Sequence, residues 1–127
     1  MTPPTKAESK HHILQASISS NKSTFTTANI KQLTIFFELK NVTSKTVNPE
    51  IPATVLVIDD RVYRDSAWMF SNGPRDARFK ALPPNDTLSF SYVLDDVIKT
   101  SGEHKIVWRG ANQNDALLKI SVKPDHK

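Results

Sequence analysis

Between residues 12 and 123 apolar side chains recur at every second position, and long runs with helical spacing are missing. In HILQASIS, Leu14, Ala16 and Ile18 share one face. The polar stretch SSNKSTFTTAN then reads as a turn. The clearest alternation follows in KQLTIFFELKNV, where Leu33, Ile35, Phe37 and Leu39 point one way and Thr34, Glu38 and Lys40 the other. A strand of that kind has one face in a core and one in water. Phe36 breaks the polar face, which predicts a place near an edge or a partner. After the turn at TSKT, residues 55–58 (VLVI) are apolar on both faces, as expected of a central or doubly covered strand. Pro49 and Pro52 cannot donate ladder hydrogen bonds and interrupt pairing before it. Asp59-Asp60 predicts a turn into a short strand at 61–63.

Further along, Pro83-Pro84-Asn85-Asp86 is a turn signal, and Leu88, Phe90, Tyr92 and Leu94 alternate inward after it. DDVIKTSGE is a connection, with a short helical turn expected from Asp95. In EHKIVWRG, His104, Ile106 and Trp108 face inward and Lys105, Val107 and Arg109 outward; His104 is expected to cap or line one end of the fold. ANQND is a hairpin-type turn, and ALLKISV turns Leu118, Ile120 and Val122 inward. About seven strands at short intervals predict an all-β fold, an immunoglobulin-like antiparallel β-sandwich. The 127 residues are enough for one domain with a real core. Its expected limits are a flexible segment at 1–11, the sandwich at 12–123 and a tail at 124–127. An edge strand near residues 10–20 is expected to be free to pair with another chain.

Composition removes several kinds of chemistry. Without cysteine there is no disulfide, no thiol nucleophile and no Cys-based zinc site. The net charge of +4 is spread along the chain and into both tails rather than clustered, so no nucleic-acid partner is expected. No apolar run reaches the roughly 18 residues of a membrane span. Export to the periplasm, the medium or the cell surface is expected where Met1 stands in place of a removed leader or anchor, and a cytoplasmic location otherwise. Three glycines cannot build a phosphate-binding loop, and no G-x-S-x-G elbow occurs. The pairs Asp59-Asp60 and Asp95-Asp96 read as turn formers rather than as catalytic carboxylates or a calcium loop. His11 and His12 would point to opposite faces of a strand and cannot readily share one metal ion. We therefore expect no catalytic residues, no metal and no cofactor. Sequons at Asn21, Asn41 and Asn85 would matter only in a eukaryotic secretory pathway.

AWMFSNGPRDARFK, residues 67–80, is the stretch with two readings. In one, Trp68 and Phe70 fill the core, Asn72-Gly73-Pro74 turns the chain, and Arg75, Asp76 and Arg78 lie in water. In the other, Trp68, Arg75 and Arg78, with Tyr63 nearby, form a patch that binds a partner, since aromatic residues and arginine dominate interface hot spots.

Two frames carry a resemblance. N-K-S-T-F-T before a long strand ending in L-K-N-V-T-S-K-T-V resembles bacterial immunoglobulin-like modules. Leu82-Pro83-Pro84-Asn85-Asp86-Thr87, followed later by Ser101-Gly102-Glu103-His104, is similar to their turn-then-strand pattern. Here Asn85 stands where a glycine is usual and His104 where a tyrosine is usual. With the aromatic segment Trp68-Met69-Phe70 between the hairpins, the layout over about residues 12–123 is similar to the bacterial intracellular proteinase inhibitor family. The resemblance implies the fold and no inhibitory residue. The functional expectation is a non-catalytic protein-interaction or adhesion module with a protein partner. The alternatives are a proteinase-inhibitor-like protein, or a carbohydrate-binding module presenting Trp68, Trp108 or Tyr92.

Overall fold

Two sheets share the alternating segments between them. The computed structural model describes residues 13–63, 77–94 and 97–124, and eight strands lie among them. Strands β1 (Leu14–Ser20), β3 (Thr34–Asn41) and β6 (Thr87–Val93) form an antiparallel sheet in the order β1-β3-β6. Strands β2 (Thr24–Thr26), β4 (Val55–Ile58), β5 (Arg61–Val62), β7 (Gly102–Arg109) and β8 (Ala116–Lys123) form the second, in the order β2-β8-β7-β4-β5. Both inner faces are apolar, so the molecule is the expected all-β sandwich.

The count is eight because SSNKSTFTTAN, expected to be only a turn, contains β2. That strand lies parallel to β8, with Phe25 opposite Val122, while the other strand-to-strand ladders among the described residues are antiparallel. A single apolar residue, Phe25, has no periodicity to read, yet its ring is buried. The chain leaves one sheet after Ser20 and joins the other at Thr24. Asn21 holds the bend: its carboxamide accepts a hydrogen bond from the Thr34 N–H (2.9 Å) and donates one to the Gln32 carbonyl (3.1 Å).

The strand at VLVI is internal, between β7 and β5, which accounts for its two apolar faces. Pro52 lies in a single 3-10 turn, Ile51–Ala53, just before it. Of the two places expected for Phe36, near an edge or near a partner, the first does not hold. β3 is the middle strand of its sheet, so Phe36 stands 45% exposed at the centre of an outer face. Its register neighbours there are Ser19 and Ser91.

An aromatic joint ties the sheets together. Phe37 stacks on Phe90 (5.0 Å, 7°), and Trp108 of the opposite sheet meets Phe37 edge-on (5.0 Å, 81°). Leu14, Leu33, Ile35, Leu39, Leu56 and Leu88 close around this centre. Each such side chain contributes about 1.5–3 kcal/mol by leaving water. Asn41 at the end of β3 is the polar counterpart. Fully buried, it donates to the carbonyls of Lys45 (2.7 Å) and Leu82 (2.9 Å). Its oxygen accepts from the Thr43 N–H (2.9 Å) and hydroxyl (2.7 Å). The amide thereby fastens the 43–45 turn and the segment leading into β6. Its burial also removes Asn41 as a surface acceptor for a glycan.

Candidate interaction surface

The hairpin of β4 and β5 closes through Asp59-Asp60, both with positive φ (51° and 69°). A two-residue hairpin loop demands that conformation, and Asp tolerates it better than a branched side chain does. The turn expected here is present, and Asp59 does more than form it. Its carboxylate reaches the neighbouring strand β7, accepting from the Lys105 N–H at 2.9 Å and meeting His104 Nδ1 at 2.6 Å. The Asp59 N–H donates in return to the Lys105 carbonyl (2.8 Å).

His104 is buried at this end of the sandwich, as expected for a residue lining it. Its second ring nitrogen, Nε2, lies 2.8 Å from the Thr100 carbonyl. Both ring nitrogens face oxygen acceptors, and only the imidazolium can donate to both. Burial alone would lower the His104 pKa, but the hydrogen bonds to Asp59 and Thr100 and the Asp59 charge hold it above its ordinary value. Burial would likewise raise Asp59. The bonds from His104 and Lys105 and their charges outweigh that and hold the carboxyl below its ordinary value. Beside this pair, Lys105 Nζ lies 3.0 Å from Asp60 in an exposed ion pair.

With the hairpin tip fastened to β7, four strands come into a common register on the outer face. Leu117 lies opposite Val107, Val107 opposite Val57, and Val57 opposite Val62. Leu56, Trp108 and Ala116 in the adjacent row all point into the core, so the apolar row lies on the opposite side. A sheet with one face in water is polar on that face. Here an unbroken apolar row crosses four strands. Val57 and Val107 in its middle are buried, while its ends stand open, Val62 at 60% and Leu117 at 54%. Charge borders the row on both sides. Lys105 and Lys119 face each other on one flank. On the other, the Arg109 guanidinium pairs with Asp115 at 3.2 Å.

Of the residues singled out from sequence, Tyr63 is next to Val62 in the chain but on the opposite side of the sheet from this row, in register with the core residue Leu56. It follows β5, donates its N–H to the Leu56 carbonyl (2.8 Å) and packs half-buried against the core. A shallow depression lined by Ile58, Asp59, Arg61, Val62, Tyr63 and Val97 opens there. Arg78 lies on the 3-10 turn Ala77–Phe79, where Nη1 donates to the Thr87 carbonyl of β6 at 2.9 Å. Trp68 and Arg75 fall outside the described residues, as do His11, His12, Asp95 and Asp96. Among the described residues no three His, Asp or Glu side chains converge as a metal site would require. No helix among them is long and apolar enough to cross a membrane. Sequence reasoning missed Leu117, Val107 and Val62 as a set. Alternation marks each as outward, but only strand order and register align them.

No protein-family model and no curated protein matches the sequence. Among solved structures the chain is similar to the CARDB domain of the PF1109 protein from Pyrococcus furiosus, solved in complex with di-metal ions. The two are 17% identical with a TM-score of 0.53, over 88% of this chain and 94% of that one. It is also similar to part of the β-glucosidase EmGH1 from Erythrobacter marinus, at 11% identity and a TM-score of 0.52. That match covers 86% of this chain but 15% of the glucosidase. Likeness at these identities shows the β-sandwich fold.

Proposed function

We propose that this chain is a non-catalytic β-sandwich module of interaction or adhesion, and that it binds a protein partner through the outer face of the five-stranded sheet. The observation that carries this reading is the row Leu117–Val107–Val57–Val62, apolar across four strands where water-facing residues belong. Its bordering charges supply a polar rim around an apolar centre, the usual anatomy of a protein interface. The similar structures support a module: one is itself a domain, and the other is a small fraction of a long chain. As an adhesion module it would act outside the cytoplasm.

The carbohydrate-binding alternative loses support from two of its three aromatic residues, since Trp108 is fully buried and Tyr92 packs edge-on against Phe37. The inhibitor-like alternative rests on the layout resemblance and on a loop at 71–80, and replacing that loop tests it.

A double substitution, Val62→Asp with Leu117→Asp, tests the face. Both side chains are exposed, so the urea midpoint should stay close to that of the wild type. Partners captured from the cells that make the protein should be lost by the double variant. Capture undiminished by both substitutions would move the binding site off this face.

A further inference from the structure

The three-stranded sheet ends in two edge strands, and their outer edges differ. β1, expected to be free, is covered over its first half. The Leu14 N–H donates to the Asn112 carbonyl at 3.0 Å. One carboxamide, that of Asn114, then treats Ala16 as a neighbouring strand would: Oδ1 accepts from the Ala16 N–H (2.8 Å) and Nδ2 donates to its carbonyl (3.1 Å). The turn at ANQND thus covers the first half of this edge, while Ile18 and Ser20, which also face away from β3, have no strand alongside among the described residues.

Among the described residues no strand lies along the outer edge of β6. Leu94 donates to the Leu33 carbonyl and Asn41 to the Asp86 carbonyl, and both pairs share the register of the ladder. Leu88, Phe90 and Tyr92 therefore direct their backbone groups toward β3, while Thr87, Ser89, Ser91 and Val93 direct theirs away. Arg78 occupies the Thr87 carbonyl. At Ser89, Ser91 and Val93 no strand among the described residues lies alongside, and Val93 is 59% exposed. Natural edges are guarded by charge, proline, a bulge or short length. β6 is seven residues, TLSFSYV, uncharged, without proline and in continuous register.

We propose that β6 pairs antiparallel with β6 of a second copy of this chain, joining two three-stranded sheets into one of six strands. The open window is bounded by Arg78 at Thr87 and by the turn of Leu94 back to Leu33, and its centre is Ser91. A two-fold axis there sets Ser91 against Ser91 of the second copy, and Ser89 against Val93. Each of these opposed pairs exchanges two bonds, about six in all. The edge is self-complementary, as a two-fold interface requires. It is also uncharged, so the two strands meet without like-charge repulsion although each chain carries a net charge of +4. A second copy fits better than an unrelated strand because the window matches its own length and symmetry.

The test uses the full chain in sedimentation equilibrium, with Ser91→Lys and Ser91→Glu. The expected result is a wild-type dimer whose melting temperature rises with concentration, two folded monomeric variants that melt cooperatively without that dependence, and a dimer restored on mixing them, because the axis sets residue 91 against itself. In hydrogen exchange, the amides of Ser89, Ser91 and Val93 should gain protection as wild-type concentration rises, while that of Ala16 should not. A wild type that stays monomeric at all concentrations, or a Ser91→Lys protein that remains dimeric, would overturn the proposal. So would a mixture of the two variants that stays monomeric. None of these results depends on the outer face of the other sheet, so this proposal and the module reading stand or fall separately.

Discussion

The pair of buried His104 and solvent-exposed Asp59 makes stability depend on pH in two directions. His104 titrates above its ordinary value of 6.5, so its contribution is complete below that pH and is lost as the pH rises through the raised value. Asp59 titrates below its ordinary 3.8, so its contribution is present above that pH and disappears as the pH falls through the lowered value. Maximum benefit lies between the two. Asp59 is partly exposed and screened by solvent, so the pair is worth about 1–2 kcal/mol rather than the full strength of a buried ion pair. Urea midpoints measured from mildly acidic to alkaline pH should fall along the alkaline limb for the wild type. For His104→Gln that limb should be flatter. In an NMR titration, Asp59→Asn should bring the His104 midpoint down. The place of His104 at one end of the sandwich was legible from the inward alternation in EHKIVWRG. Its partner was not, because Asp59 lies 45 residues away and reads locally as a turn former.

At the scale of elements, the long strands were legible and the short one was not. β1, β3, β6 and β8 alternate over seven or eight residues, enough to distinguish strand from helix. β2 is three residues with one apolar side chain, and its pairing to β8 comes from the far end of the chain. The edges show the same limit. ANQND predicts a turn, but nothing local indicates that Asn114 reaches back across 98 residues to Ala16. Replacing Asn114 by Ala should cost about 1–2 kcal/mol, since both backbone groups of Ala16 lose their partner. Urea unfolding measures that loss, and faster exchange of the Ala16 amide should accompany it. The same variant should promote association through the opened β1 edge.

Across the whole molecule, the joint of Phe37, Phe90 and Trp108 makes two sheets one cooperative unit. Phe37→Ala removes the ring that touches both others and leaves a cavity between the sheets. The expected loss is about 3–5 kcal/mol, a large share of a typical domain's 5–15 kcal/mol. Chemical unfolding checks the loss, and Trp108, shielded in the wild type, should become more open to acrylamide quenching. The candidate binding face also belongs to this scale. Val57 carried a signal, since an apolar run on both faces of one strand requires cover on both. Val62, Val107 and Leu117 carried none, since each alone is an ordinary outward position.

What the sequence determined by itself is the set of faces: which side chains enter the core, where turns occur, and that the fold is an all-β sandwich. Those follow from period-two patterning and from turn chemistry, both of which act within a few residues. The tertiary structure alone decided the sheet order, the covering of β1 at Leu14 and Ala16, the partner of His104 and the alignment of the apolar row. Each depends on which distant strands become neighbours and in what register, and that choice is made by packing the whole core at once.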